Sequence, residues 1–373
     1  MTVRWGMLST ASIGRVVADA VQDSARAEFV AVAGRDAEKA AGYAAELGIP
    51  ESYGSYEELL ADDGIDAVYI PLPVALHAEW TIRALRAGKH VLCEKPLAPT
   101  AADAAACFDA ADAAGRLCIE GLMWRHHPQT RLARSLLADG AIGELALIRA
   151  ALTVDVPPGD IRRTAAMGGG AALDLGCYCV SAIRLFGGRP LRVAAEQVAD
   201  TAPGARGLDL PGAGRAGPRG ARGADVPGAG RPGPRGARGA DVPGAGAVDL
   251  RLAATLALPG DVLAQFDVAL DFPRRDELEL IGTGGKITVR DPWLCRYGIV
   301  EVERDGTVER LSAAPPDPDE NDAYRIEIEA ASHAIATGAE PPFGRADAIE
   351  QAEVVEAVRL AAATGRRIEL PPT

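Results

Sequence analysis

A chain of 373 residues is long enough for two domains with separate cores, and its 48% hydrophobic and 24% charged content is ordinary for a globular protein. The formal charge of −13 argues against a nucleic-acid partner, which shows as a basic footprint. Met1–Leu8 has no basic, long-apolar leader pattern, no apolar run approaches the roughly 20 residues of a bilayer span, and the six cysteines follow no disulfide or zinc spacing; reduced thiols in a cytoplasmic protein, with no membrane and no metal, are expected.

In chain order, Val3–Leu8 predicts a strand and Ser12–Gln22 a helix. Glu28–Gly34 is a second strand, followed by a helix over Asp36–Leu47 that Gly48 closes. Ala67–Ile70 is a short buried strand, and the helix after it carries His77 to Ala87 and ends at Gly88. Val91–Cys93 is the next strand. Thr100 with Asp103 reads as a capping box opening a helix that Gly115 closes, and Cys118–Leu122 ends the series. Such alternation implies α/β architecture, a doubly wound parallel sheet of Rossmann type over residues 1–122.

Residues 123–373 change character. Glu144–Val154, Leu191–Ala199, Val248–Leu258, Val262–Leu270, Glu277–Ile281 and Lys286–Arg290 are strand-like, interrupted by a helix over Ala171–Phe186. Helices around Tyr324–Thr337 and Ala346–Ala363 close the chain. The pattern predicts an α+β domain with one large, mainly antiparallel sheet. Residues 204–246 form a 16-residue tandem repeat rich in Gly, Pro and Ala, with seven arginines against three aspartates. With few large side chains to bury, it is expected to be a disordered, inert insertion between two strands.

Six stretches carry chemistry. Gly6-Met7-Leu8-Ser9-Thr10-Ala11-Ser12-Ile13-Gly14 is a strand–turn–helix in which Ser9, Ala11 and Gly14 occupy the three glycine positions of a dinucleotide fingerprint. Small residues at a helix N-terminus make a phosphate site. In Ala33-Gly34-Arg35-Asp36, Arg35 can receive a 2′-phosphate, Lys39 adds charge one turn on, and Asp36 reads as a helix N-cap. NADP is therefore expected ahead of NAD. Pro71-Leu72-Pro73 forms a loop that would pass beneath the nicotinamide ribose, and His77 opens the next helix, either packing on the turn or taking a catalytic role.

His90–Ala98 is an apolar strand that ends in Glu94-Lys95-Pro96. Proline stops the ladder, so Lys95 stands at a carboxyl end, where open α/β sheets bind ligands. Glu120–Pro128 runs a strand into Trp124, Arg125, His126 and His127 at the domain junction, which suggests a pocket wall. In Gly168–Tyr178, Asp174 and Tyr178 are four apart and share a helix face.

In their order and spacing these blocks resemble the Gfo/Idh/MocA oxidoreductases (glucose–fructose oxidoreductase, inositol dehydrogenase, rhizopine catabolism), over essentially the whole chain except 204–246. The resemblance implies a catalytic group of Lys95, Asp174 and Tyr178. It implies cofactor contacts at Ser9, Thr10, Ala11, Ile13, Arg35, Lys39, Leu72, Pro73, His77, Glu94 and Lys95. Tyrosine at position 178, where many members carry histidine, looks like the branch of dihydrodiol dehydrogenase and NADP-dependent xylose dehydrogenase. The implied activity is hydride transfer between NADP (NAD being possible) and a sugar carbinol or carbonyl, of aldose dehydrogenase type. Ketosugar reduction, cyclic dihydrodiol oxidation and a catalytically silent NADP-binding regulator are the alternatives. On this reading Tyr178, or Lys95 coupled to it, moves the hydroxyl proton; Lys95 lowers the tyrosine pKa and holds the substrate oxygen, and Asp174 orients Lys95 or the substrate. Trp124, Arg125 and Arg162 are expected to face the sugar or cyclic polyol. An exposed antiparallel sheet would suit a homo-dimer or homo-tetramer.

Overall fold

The structure, a computed structural model, describes residues 1–200, 247–313 and 321–371; the expectation about the 204–246 repeat lies outside them. The first half runs β1 (Val3–Leu8), α1 (Ser12–Ala20), β2 (Ala27–Ala33), α2 (Ala37–Leu47), β3 (Glu51–Tyr53), α3 (Tyr56–Leu60), β4 (Ala67–Ile70), α4 (Val74–Arg86), β5 (His90–Glu94), α5 (Ala101–Ala114) and β6 (Cys118–Gly121). Six parallel strands lie in the order β3-β2-β1-β4-β5-β6. The order reverses between β1 and β4, which opens a crevice at their carboxyl ends. Central strands β4 and β5 are apolar and buried on both faces because helices cover both sides.

Local chemistry sets the element ends. The Asp36 side chain accepts from Lys39 N at 3.0 Å and Thr100 Oγ1 from Asp103 N at 3.1 Å, so both predicted N-caps form. Gly14 lets α1 lie close on the sheet: a Cβ there would sit 2.6 Å from the Tyr43 hydroxyl and nearer still to the Met7 sulfur.

The second half continues with α6 (Pro128–Ala138), β7 (Leu145–Asp155), α7 (Cys177–Gly187), β8 (Arg192–Ala199), β9 (Asp249–Ala257), β10 (Leu263–Ala269), β11 (Asp271–Gly282), β12 (Gly285–Val289), β13 (Ile299–Arg304), β14 (Thr307–Ser312), α8 (Ala323–Thr337), α9 (Arg345–Thr364) and β15 (Ile368–Glu369). Nine strands form one sheet in the order β14-β13-β12-β11-β7-β10-β9-β8-β15. Its pairs are antiparallel except β7 with β10, which the chain reaches only after crossing over through α7. β8 and β9 are hydrogen-bonded neighbours, and Asp200 N donates to Val248 O at 2.8 Å, so the flanks of the repeat meet at the base of a hairpin.

The helical stretch over Ala165–Gly187 is apolar and long enough to cross a membrane by composition, yet most of it is buried inside the protein. α8 does not stay with its neighbours in sequence. It packs beneath the first sheet, with Ile328 and Ala331 in the same core cluster as Val3, Trp5 and Phe29.

Candidate active site

Two adjoining cavities occupy the crevice. The outer, of about 910 Å³, is lined by Ser9, Thr10, Ala11, Arg35 and Lys39; the inner, of about 520 Å³, by Ile13, Glu94, Lys95, Arg162, Asp174, Tyr178 and Tyr324. Ala11, Pro71, Leu72, Pro73, Ile161 and Met167 line both, so one groove runs from end to end.

The outer end fits a dinucleotide. Ser9 replaces the first fingerprint glycine yet holds φ at +143°, a glycine-like conformation. Its hydroxyl offsets that strain by donating to Pro71 O and accepting from Ala11 N, both at 3.2 Å. No side chain caps the first N–H groups of α1, which leaves donors for a pyrophosphate. Arg35 and Lys39 are exposed, and among the described residues neither is paired with a carboxylate.

At the inner end, β5 delivers Lys95 and the helix leading into α7 delivers Asp174 and Tyr178. Ala172–Gly176 is a π-helical turn, a form common at functional sites. Lys95 Nζ donates to the Asp174 backbone oxygen at 2.7 Å and to its carboxylate Oδ1 at 2.9 Å. The ammonium lies 4.9 Å from the centroid of the Tyr178 ring. Burial opposes the Lys95 charge, but Asp174, with Cys177 and Glu94, outweighs it and the pKa rises above its ordinary value. Lys95 is therefore a fixed cation at working pH.

Tyr178 departs from expectation in one respect. Lys95 was expected to lower its pKa; instead burial, with Tyr324 and Glu94 nearby, pushes the phenol well above its ordinary range. The ammonium faces the ring rather than the hydroxyl, which contacts Met123 Sδ at 3.7 Å. Glu94 accepts from Tyr69 Oη at 2.7 Å and from Lys95 N at 3.2 Å, and burial raises its pKa.

Other predicted residues are placed differently from one another. His77 is wholly buried, with Nδ1 2.8 Å from Pro96 O and Nε2 2.6 Å from Leu72 O. It ties the Pro71–Pro73 loop to the Lys95 turn and borders the inner cavity. Trp124 is 1% exposed and packs edge-on against Trp293, which itself supports Tyr178. Arg125 is buried, bonded to Ser181 Oγ at 2.6 Å, paired with Asp347 and set over Phe343. Neither forms the expected sugar-facing wall, because the strand-to-helix turn points both into the domain junction. Arg162 does reach the cleft, held by Asp160 at 3.0 Å.

Two residues that line or brace the cleft carry no signal in the motifs above. Tyr324 enters from a helix distant in sequence, and nothing in its local pattern separates it from a core aromatic. Asp249 clamps the helix that carries Asp174 and Tyr178: its Oδ2 accepts from Ala172 N at 2.6 Å, and Gly170 at φ +124° leaves it room, since a Cβ there would collide with Oδ1. Burial pushes its carboxyl up to about 6, against the Ala172 N–H. The folded protein thus holds this proton more tightly than the unfolded chain, so the effect of Asp249 on stability worsens as pH rises from about 4 to 6 and is constant above. Asp249→Asn keeps the acceptor and removes the buried charge. It is expected to gain on the order of 2 kcal/mol at pH 7.5, with little gain at pH 4; thermal melts at both pH values check this.

The oxidoreductase family with an NAD-binding Rossmann fold (GFO_IDH_MocA) matches residues 3–122, and the GFO/IDH/MocA C-terminal domain matches residues 130–288. The chain is similar to D-xylose 1-dehydrogenase (NADP(+)) 2 of Haloferax volcanii, 34% identical over 98% of this chain and 99% of that one. It is also similar to dTDP-3,4-didehydro-2,6-dideoxy-α-D-glucose 3-reductase of Actinomadura kijaniata, 32% identical over 96% of each chain. A crystal structure of a 3-ketoreductase from Actinomadura kijaniata with NADP and TDP-benzene superposes with a TM-score of 0.78 at 30% identity, covering 97% of this chain and 98% of that one.

Proposed function

The chain belongs to the Gfo/Idh/MocA oxidoreductase family, and from that premise we propose that it is an NADP-dependent sugar oxidoreductase of aldose dehydrogenase type. The observation that carries the reading is the fixed Lys95–Asp174 ion pair beside Tyr178, at the inner end of a groove whose outer end carries Arg35 and Lys39. Bound there, the nicotinamide supplies the hydride chemistry. Ser9, Thr10, Ala11, Ile13, Leu72, Pro73 and Glu94 line its path, with Arg35 and Lys39 toward a 2′-phosphate.

Lys95 donates to the substrate oxygen and stabilises negative charge on it. Asp174 holds Lys95 charged and aimed. Tyr178 exchanges the hydroxyl proton, and Arg162 borders the sugar. Lys95 and Tyr178 are both held protonated, a state ready to give a proton to a carbonyl oxygen. That favours reduction of a ketosugar as the second reading. Six free cysteines suit the cytoplasm. The open face of the nine-stranded sheet, with Ala194, Ala253, Thr255, Leu263 and Gln265 exposed, suits a second copy of the chain, which sedimentation equilibrium reads directly.

The deciding experiment follows NADPH at 340 nm, an assay wavelength, with aldoses, ketosugars and cyclic diols in both directions. Turnover of an aldose with NADP supports the lead reading. Carbonyl reduction alone moves weight to the second. Tight NADP binding with no turnover anywhere would sink both.

A further inference from the structure

Tyr324 is the second residue of α8. Asp322 caps that helix by accepting from Tyr324 N at 2.8 Å and Arg325 N at 3.1 Å. Asn321 is pinned in turn: His127 Nε2 lies 3.0 Å from its Oδ1, and its Nδ2 donates to Arg296 O at 3.2 Å. The body of the helix is anchored elsewhere, to the first domain, where Trp5 Nε1 donates to Ser332 Oγ at 3.0 Å and Ser24 Oγ bonds Glu329 at 2.7 Å. The tyrosine ring therefore stands at the seam, packed against the cores of both domains, and borders the inner cavity beside Glu94, Lys95 and Tyr178.

A phenol so largely enclosed ordinarily has a hydrogen-bond partner. Among the described residues the Tyr324 hydroxyl has none, although it borders the cleft. Tyr178 is the other phenol lining that cavity, and its hydroxyl is turned to Met123 Sδ. Lys95 and Tyr178 are assigned to the reacting oxygen itself, and Arg162 is already held by Asp160. Tyr324 thus offers an uncommitted donor, rigidly placed near the reacting group.

Resting on the sugar oxidoreductase reading, we propose that Tyr324 is a specificity-determining residue, its hydroxyl hydrogen-bonding a substrate oxygen on a carbon next to the one oxidised or reduced. Burial, with Glu94 and Glu327 nearby, holds the phenol well above its ordinary pKa, so it serves as a neutral donor rather than a base. A site built around such a donor rejects analogues lacking the matching oxygen, because the largely enclosed hydroxyl then loses its partner. The substrate class follows: a polyhydroxylated ring or chain with vicinal oxygens, in preference to a simple secondary alcohol.

The test compares wild type with Tyr324→Phe on the best sugar substrate and on its single-deoxy analogues, with NADPH affinity read by fluorescence titration. Tyr324→Phe is expected to lower kcat/KM on the parent sugar about 10- to 100-fold with unchanged NADPH affinity. On one deoxy analogue, the two proteins should be equal, the missing oxygen and the missing hydroxyl being the same interaction. Equal losses on every analogue, no loss on any, or weakened NADPH binding would each overturn the assignment while leaving the functional reading intact. A wild-type enzyme inert on all sugars and diols would overturn both. Tyr324→Met, which keeps bulk without the hydroxyl, answers the same question if the phenylalanine variant does not fold.

Discussion

Lys95→Ala is expected to lower kcat by about 10³-fold or more while NADP affinity stays within about twofold. Lys95 combines two contributions. Its ammonium sits where charge develops on the substrate oxygen, and it keeps the Asp174 carboxylate company in a largely enclosed site. Removing one partner of such a pair leaves the other charged and poorly solvated. Complete burial would make that worth about 3–5 kcal/mol; the 13% and 17% side-chain exposures argue for the lower part of that range. Lost stability and lost catalysis must therefore be separated. Lys95→Met combined with Asp174→Asn removes both charges, so its melting temperature should recover most of the loss seen with Lys95→Ala. Its turnover should not recover. If the double variant regains activity, or Lys95→Ala keeps more than a tenth of it, Lys95 does not contact the reacting oxygen. Steady-state NADPH kinetics, NADPH fluorescence titration and thermal melts supply the three readouts.

The first domain was legible in the sequence because its signals are local and mutually consistent. Helices α2 and α5 each have a cap and a stop that a single residue type provides, Asp36 and Gly48 for one, Thr100 and Gly115 for the other. β3 and α3 passed unseen because three and five residues carry too little periodicity to stand out. Other elements outside the first domain do carry local signals. Asp305 and Gly306 take φ of +50° and +73° between β13 and β14, and Asp-Gly between apolar runs is a strong hairpin cue. Pro128 at the first turn of α6, behind the cap from His127, is another.

The site divides along the same line. Lys95, Asp174 and Tyr178 could be found because each ends a strand or marks a helix face. What the hydroxyl of Tyr178 touches depends on Met123 and Trp293, which are about 55 residues before it and 115 after it, and no periodicity reports that. Arg125 misled for the same reason. A basic residue at a strand end suggests a ligand, but its partners Asp347 and Ser181 arrive only through tertiary packing.

The coenzyme preference rests on two residues at the outer end of the groove, and removing them gives the second large effect. Arg35→Ala is expected to raise the KM for NADP about 10- to 100-fold while changing that for NAD by less than about twofold. A guanidinium presents paired donors to a phosphate, and charge-assisted hydrogen bonds of this kind are worth about 1.5–3 kcal/mol. Arg35 is exposed, so solvent and salt pull the effect toward the lower end. Lys39→Ala should add a smaller loss in the same direction. The change leaves α2 intact, because Asp36 caps the Lys39 backbone N–H rather than its side chain. The wild-type KM for NADP should also climb with ionic strength, and that slope should flatten in the Arg35→Ala, Lys39→Ala double variant. NAD lacks the 2′-phosphate, so its KM should show neither effect. Parallel losses for the two coenzymes would mean that Arg35 supports the fold of the β2 turn and reads no phosphate.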